Sequence, residues 1–253
     1  MKILNSSHTK ANLFFPNTYK KQSNIKFSGN ENEIQKSLIF TENYNRPFIS
    51  KIISNREPKS FDLEKIQKLG IPNFCVTNHN GVRGETLSSP KNRKFLKPLK
   101  KSGIRTIIDL RDKFPSSKFE DLCKEHNFKY YRFPIDASSI PDETIIKDLS
   151  KFFELLDDGD YYIACAQGLH RTDIALALNY TFNPKATEPP FLIGHIRGEQ
   201  LKTDDINRRL NSIFKKLSSG ALRGLGWDEY NADTFAKRKK IMYSMNRKFF
   251  NLK

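Results

Sequence analysis

Short apolar segments alternate with amphipathic segments along the middle of the chain, and this alternation restricts the fold strongly. Runs typical of buried strands occupy residues 104–110, 128–133 and 161–164, and helical patterns lie between and after them. Residues 73–85 predict two further strands joined by a turn. Such an order favours a mostly parallel sheet flanked by helices. The sequence therefore predicts an α/β fold.

The two ends of the chain differ from this centre in charge. Residues 61–189 carry 20 Lys and Arg against 18 Asp and Glu, whereas residues 1–60 carry 10 against 4 and residues 190–253 carry 14 against 6. The first 58 residues are rich in Asn, Lys and Ser, which predicts a flexible or partly ordered N-terminal arm. We predict a central domain at residues 59–189. A basic extension of two helices at residues 190–253 would pack on it.

Composition also excludes several classes of protein. No apolar run approaches the ~18 residues that a transmembrane helix needs, and the N-terminus has no sustained apolar stretch typical of a signal peptide. The three cysteines, Cys75, Cys123 and Cys165, are too few and odd in number for a disulfide framework. We therefore expect a cytoplasmic protein, although export as an effector would leave no signal recognisable in this sequence.

The segment CAQGLHRT, residues 165–172, has the features of an anion-binding loop. It follows a predicted strand and enters a predicted helix, whose first N–H groups are unpaired and converge on one spot. Gly168 permits a tight turn, and Arg171 offers a planar fork that matches two phosphate oxygens. Cys165 lies at the focus of this positive field, which lowers a thiol pKa. Thr172 can donate a hydrogen bond to the sulfur.

These residues predict the hydrolysis of phosphate monoesters without a metal or a cofactor. Such a reaction needs a cradle for the oxygens, a nucleophile for phosphorus and a proton donor for the leaving group. The alternative is that Cys165 is a buried core cysteine and Arg171 a surface residue at the start of a helix. The combination of strand, Gly, Arg and Thr favours the catalytic loop.

CAQGLHRT resembles the C-x5-R-[ST] signature of the cysteine-dependent protein tyrosine phosphatase superfamily. Its His-Arg-Thr ending is similar to the atypical dual-specificity phosphatases of plants and fungi and their bacterial relatives. NGVRGETLSSPKNRKFLKPLKKSGIRTIIDLRD is similar to the opening of that group, so the resemblance covers residues 71 to about 184. It implies a dual-specificity phosphatase-like fold for the central domain.

The resemblance also implies roles for the loop. Cys165 would be the nucleophile, and Arg171 would bind phosphate and stabilise the transition state. The phosphate cradle would be the backbone of five residues: Ala166, Gln167, Gly168, Leu169 and His170. His170 is a candidate for contact with substrate and equally for shaping the loop.

Two positions depart from the pattern of the family. The family usually has His before the cysteine, where this chain has Ala164, and Gly after the Ser/Thr, where this chain has Asp173. An acidic residue suits the first turn of a helix, but near an anion site it would weaken phosphate binding. A phosphate-binding module with little turnover is therefore an alternative to an active enzyme.

Two residues are candidates for the general acid, because both lie in the loop FPIDASSIPDE between a strand and a helix. We favour Asp136, since P-I-D-x-x-x-x-P resembles the acid loop of many relatives, although Asp136 also suits a simple turn. Asp142 is better placed to cap the helix that follows. The histidines outside the loop that follow the N-terminal arm, His79, His126 and His195, have no metal-ligand spacing, so no metal is predicted.

The predicted substrates are phosphoproteins, with phosphotyrosine first. Inositol phosphates or phosphoinositides are the alternative, because the atypical group includes enzymes for inositol phosphates and the flanks are basic. Leu169 argues against a polyphosphate, since that group often has Lys there. The basic segment FAKRKKIMYSMNRKFF suits an anionic membrane surface, but we favour an ordinary packed helix, and nucleic acid is not an expected partner.

Overall fold

The structure, a computed structural model, describes most of the chain after the N-terminal arm. The described residues are 61–77, 81–112, 117–136, 143–197, 200–217 and 232–252. The predicted arm and Asp142 lie outside them. The predicted division into domains stays a prediction.

A five-stranded sheet lies at the centre of the described residues. Its strands are β1 (Cys75–Thr77), β2 (Gly81–Arg83), β3 (Thr106–Arg111), β4 (Lys129–Ile135) and β5 (Tyr161–Ala164). Their order across the sheet is β1-β2-β5-β3-β4, and only the β1–β2 pair is antiparallel. The predicted α/β fold with a mostly parallel sheet is confirmed.

Helices connect the strands and follow them. They are α1 (Leu63–Gln67), α2 (Leu96–Lys101), α3 (Ser117–Glu125), α4 (Glu143–Asp157), α5 (His170–Phe182), α6 (Asp204–Lys216) and α7 (Ala232–Phe249), with a 3-10 turn at Arg93–Phe95 before α2. A small hairpin, β6 (Ile196–Arg197) and β7 (Gln200–Leu201), precedes α6. The sequence did not predict this hairpin, because two-residue strands carry no readable alternation.

The sheet separates two hydrophobic cores. Along β5, Tyr161 and Ile163 enter the core shared with α4 to α7, while Tyr162 and Ala164 enter the core shared with α1 to α3. This alternation arises because successive side chains of a strand point to opposite faces. Helices therefore cover both faces of the sheet, as predicted.

Helix α5 is enclosed by protein on all sides. Every residue from Thr172 to Phe182 is buried, because the sheet covers one side of the helix and α6 and α7 pack on the other. Helix α7 contributes Phe235, Met242 and Met245 to this core, which is the packed arrangement that we favoured for the basic segment. Among the described residues, no helix has the length and apolarity needed to cross a membrane.

Candidate active site

The candidate residues meet at one edge of the sheet. Strands β2, β3, β4 and β5 run parallel, so their carboxyl ends share that edge, which is where open α/β sheets bind ligands. Cys165 directly follows β5, Asp112 follows β3 and Asp136 follows β4. Arg83 is the last residue of β2.

Arg83 holds the loop between β5 and α5 from behind. It is buried, and its Nε and Nη2 donate to Gly168 O at 3.1 and 2.8 Å, while Nη2 also donates to Leu169 O at 2.9 Å. A guanidinium carries five N–H donors in a fixed fork, so one side chain orients two successive carbonyls. Sequence analysis did not identify this residue.

The two preceding carbonyls of the loop are also bonded from outside. Thr86 N donates to Ala166 O at 3.1 Å, and Asn73 Nδ2 donates to Gln167 O at 3.0 Å. With four carbonyls turned outward, the peptide N–H groups of the loop turn to its inner side. This arrangement provides the donors that an anion needs.

Cys165 lies on the inner side of the loop. Its sulfur accepts hydrogen bonds from the Thr172 hydroxyl and from the backbone N–H groups of Thr172, Leu169 and Gln167. Burial raises the pKa of the thiol, but these hydrogen bonds outweigh burial, so the pKa of Cys165 lies below its usual value. Thr172 Oγ1 also accepts the Cys165 N–H at 3.2 Å. The thiol is thus held in conditions that favour the thiolate.

Gly168 adopts the left-handed conformation on which the loop depends. Its φ is +68°, and a Cβ atom added there would lie 1.9 Å from the carbonyl oxygen of Gly84. A side chain is therefore excluded both by backbone conformation and by space. The geometry agrees with the tight turn predicted at Gly168.

Arg171 is held from the front of the loop by an acidic residue that sequence analysis overlooked. Its Nη1 donates to Asp112 Oδ1 at 2.5 Å, and its side chain is 14% exposed. The contact leaves the Nε–Nη2 edge of the guanidinium for an anion, the edge best suited to two phosphate oxygens. Arg132 Nη2 donates to the Asp112 carbonyl at 2.8 Å, so a second arginine lies nearby.

Asp173 is fully buried, and its carboxylate is fully engaged. Arg83 Nη2 lies 2.6 Å from Oδ1, and Oδ2 contacts Gly194 N at 2.7 Å, His195 N at 3.0 Å and His195 Nδ1 at 2.9 Å. Its partner Arg83 is the residue that binds the outward carbonyls of the loop. The Arg83 guanidinium thus neutralises the Asp173 carboxylate behind the loop, which argues against the expectation that this charge weakens phosphate binding.

Ala164 stands where the pattern of the resembled family has histidine. In this chain, Arg83 of the neighbouring strand β2 holds the loop through its carbonyls. Ala164 is buried at the end of β5, opposite Asp109 of β3. Asp109 forms an ion pair with Arg111, at 2.5 Å, and accepts a hydrogen bond from Tyr130 at 2.9 Å. These contacts make Asp109 and Arg111 structural.

His170 points towards α6. Its Nε2 lies 3.0 Å from Asp205 Oδ2, and its ring stacks on His195 with centroids 4.5 Å apart. Burial, together with the neighbouring His195, lowers the pKa of His170. Of the two roles suggested for His170, this geometry favours shaping the loop.

Asp136 follows β4 directly and is exposed. Because Asp142 lies outside the described residues, the choice between these two general acids stays a prediction.

No family model and no curated protein matches the sequence. Among solved structures, a DUF442 phosphatase from Shewanella putrefaciens CN-32 has a TM-score of 0.44 and 18% identity, covering 61% of this chain and 98% of the other. The core catalytic domain of the PP-IP phosphatase SIW14 from S. cerevisiae has a TM-score of 0.36 and 16% identity, covering 70% of this chain and 95% of the other. The Yvh1 phosphatase domain from Chaetomium thermophilum has a TM-score of 0.33 and 14% identity, covering 66% of this chain and 92% of the other.

Proposed function

We propose that this protein is a metal-independent phosphomonoesterase that works through a cysteinyl-phosphate intermediate. The observation that carries the proposal is the enclosure of the Cys165 sulfur by three backbone N–H groups and the Thr172 hydroxyl. Such a shell lowers the pKa of the thiol and so favours the thiolate, which is the nucleophilic form of cysteine. The same shell forms the floor of a site for a phosphate dianion.

In the first step, the Cys165 thiolate attacks phosphorus. The S–P bond forms as the P–O ester bond breaks, and the leaving oxygen takes a proton from the carboxylic acid of Asp136. The non-bridging oxygens are bound by the loop N–H groups and by the Nε–Nη2 edge of Arg171, which stabilises charge in the transition state. Asp112 keeps the guanidinium of Arg171 in position through Nη1.

In the second step, water attacks the same phosphorus. The water proton passes to the carboxylate of Asp136, the S–P bond breaks, and inorganic phosphate leaves. Sulfur departs as a thiolate, which the Thr172 hydroxyl stabilises by its hydrogen bond. Both Cys165 and Asp136 then have their starting protonation, so the cycle consumes one ester and one water.

We propose phosphotyrosine or dual-specificity protein substrates. Within the cradle, a single arginine and Leu169 leave one cation fewer than a site for a polyphosphate would be expected to have. A second candidate, an inositol phosphate, is favoured by one observation: Arg132 is exposed and lies beside Asp112 at the same edge. The net charge of +16 would also attract such a polyanion.

The proposal is tested by hydrolysis of a generic aryl phosphate with and without EDTA. The wild-type protein should turn over the substrate equally in both conditions. Cys165→Ser should abolish turnover while retaining binding of tungstate, a phosphate analogue. No turnover by the wild type, combined with tight tungstate binding, would instead support the phosphate-binding module.

A substrate panel separates the two candidate substrates. Phosphotyrosine peptides, phosphoinositides and inositol polyphosphates are compared for the wild type and Arg132→Gln. If the substrate is an inositol phosphate, Arg132→Gln should raise its KM and leave peptide hydrolysis unchanged. Arg105→Gln is the matched control, because Arg105 is 69% exposed, pairs with Asp160 and precedes β3, at the opposite edge of the sheet.

Leaving-group dependence identifies the general acid. Asp136→Asn should slow hydrolysis of a phosphate ester with a basic leaving oxygen far more than that of an activated aryl ester, which leaves without a proton. Asp142→Asn is the matched control and should affect both esters equally. The reverse result would assign the role to Asp142.

A further inference from the structure

Three residues from separate parts of the chain converge where α5 begins. His170 begins α5, His195 precedes β6, and Asp205 lies in the first turn of α6. One ligand atom from each residue can be chosen such that all three lie within 4.8 Å of one another. The closest pair, His170 Nε2 and Asp205 Oδ2, is 3.0 Å apart. The fold alone creates this cluster, which no short sequence spacing reveals.

His195 has one nitrogen engaged and one without a hydrogen bond. Its side chain is 2% exposed, its Nδ1 lies 2.9 Å from the Asp173 carboxylate, and its Nε2 is buried with no hydrogen-bond partner among the described residues. A carboxylate can only accept a hydrogen bond, so Nδ1 carries the proton and donates it in this contact, and the lone pair is on Nε2. This carboxylate–histidine arrangement is typical of the residues that orient a metal-binding imidazole.

Asp205 divides its two oxygens in a similar way. Oδ1 accepts hydrogen bonds from Arg208 and Arg209, each at 3.3 Å, whereas the buried Oδ2 lies 3.0 Å from His170 Nε2. A buried polar atom without a hydrogen bond is costly. Such an atom, His195 Nε2, in a cluster whose three ligand atoms lie within 4.8 Å of one another indicates a ligand.

We propose that His170, His195 and Asp205 bind one zinc ion through the two Nε2 atoms and Oδ2. A fourth position would remain for water, as in three-ligand zinc sites. Tetrahedral ligands at zinc lie about 3.3 Å apart, so the widest pair of the cluster must approach, and the stacked rings of His170 and His195 must turn so that each Nε2 lone pair points at the ion. The closest pair is already at that separation.

The donor set and the neighbouring charges favour zinc over harder ions. Imidazole nitrogen suits Zn²⁺, whereas Mg²⁺ and Ca²⁺ require oxygen ligands. The guanidinium of Arg209 lies beside Asp205 and offsets the negative charge of the carboxylate. Long-range attraction between the site and a cation is therefore weak and would contribute little to the affinity for a metal ion. Coordination bonds must supply it, which again favours the softer ion.

A bound zinc ion would connect the loop to α6. His170 directly precedes Arg171, so fixing the imidazole also fixes the backbone that carries the phosphate-binding arginine. No step of the proposed hydrolysis passes through this ion. The site therefore goes beyond the proposed function and can be tested without any measurement of turnover.

The first experiment measures zinc binding by calorimetry on the full chain carrying Cys165→Ser, which removes a competing thiolate. One equivalent of Zn²⁺ should bind, and His170→Gln or Asp205→Asn in the same background should weaken binding at least tenfold. His126→Gln is the matched control, since His126 is a half-buried histidine at the end of α3, and should bind like the parent. These variants avoid the buried His195, whose replacement endangers folding.

The second experiment identifies the ligands and the effect on stability. Co²⁺ bound to the Cys165→Ser protein should give the visible spectrum of a tetrahedral nitrogen–oxygen site without thiolate charge transfer. Zinc at 100-fold excess over its Kd should raise Tm by roughly 5 °C or more, and His170→Gln should remove this increase. No stoichiometric binding, equal binding by the variants, or a thiolate spectrum would overturn the proposal.

Discussion

The loop is held by two Arg–Asp pairs, one behind it and one in front, and they differ in exposure. Behind the loop, Arg83 and Asp173 are 1% and 0% exposed and make many further hydrogen bonds. In front, Arg171 and Asp112 are 14% and 26% exposed. A buried pair cannot exchange partners without a large desolvation cost, whereas a partly exposed pair can. The pair behind the loop is therefore permanent, whereas the pair in front can open, as the proposed binding of phosphate by Arg171 requires.

The largest difference between the two pairs should appear when the negative charge of Asp173, behind the loop, is removed. Asp173→Asn leaves the Arg83 guanidinium buried without its carboxylate, which costs about 3–5 kcal/mol. Thermal unfolding should show a Tm lower by roughly 6 °C or more. Asp112→Asn is the matched control and should unfold within about 1 kcal/mol of the wild type. Equal effects of the two substitutions would contradict the difference between front and back.

Replacing the arginine in front should have the opposite signature. Arg171→Lys keeps the charge but loses the two-point fork, so kcat/KM for an aryl phosphate should fall by about 10²–10³. The Tm should stay close to that of the wild type, because the side chain holds no core carbonyl. Steady-state kinetics and thermal unfolding on the same preparation measure both. A large loss of stability with unchanged kcat/KM would mean that Arg171 is structural.

The front of the loop could be predicted from the sequence and the back could not. Cys165, Gly168, Arg171 and Thr172 lie within eight residues, between one strand and one helix, so local pattern was enough. Arg83 and Asp173 are 90 positions apart, and nothing local shows that a strand end will meet the first turn of a distant helix. Asp173 was expected to weaken phosphate binding because its ion-pair partner, Arg83, could not be identified from the sequence.

The sheet explains why one further residue was missed although a signal existed. Asp112 follows β3, and β3 is the neighbour of β5. In a parallel sheet, the residues that follow neighbouring strands share an edge, so the acidic residue after DLR was a candidate from the moment the strands were assigned. The sequence does not give the order of the strands in the sheet, because several orders fit the same alternation of strands and helices, so Asp112 could not be placed beside Cys165. The cluster of His170, His195 and Asp205 was hidden for the same reason.

The next prediction concerns the thiol between the two pairs. Thr172→Val removes a hydroxyl donor to the sulfur, and a hydrogen bond to a charged group contributes about 1.5–3 kcal/mol. The pKa of Cys165 should therefore rise. Less thiolate at pH 7 should slow alkylation by iodoacetamide, and the midpoint of its pH profile should move upward.

Thr172→Ser retains the hydroxyl and is the control. It should restore the alkylation profile of the wild type, because serine donates the same hydrogen bond. If Thr172→Val and Thr172→Ser react alike, the backbone N–H groups alone depress the pKa and the hydroxyl is dispensable.

Replacing Asp112 should have the smallest effect on catalysis, and it tests directly whether the front pair takes part in binding an anion. Asp112→Asn removes the negative charge that partly neutralises Arg171, so tungstate should bind more tightly and KM should fall. The freed guanidinium is also less well positioned, so kcat should fall by up to about tenfold, equivalent to ~1.4 kcal/mol. Calorimetry and steady-state kinetics separate the two effects. Weaker tungstate binding would show that Asp112 acts only by positioning, and unchanged binding and kcat would show that the front pair has no role in exchange with substrate.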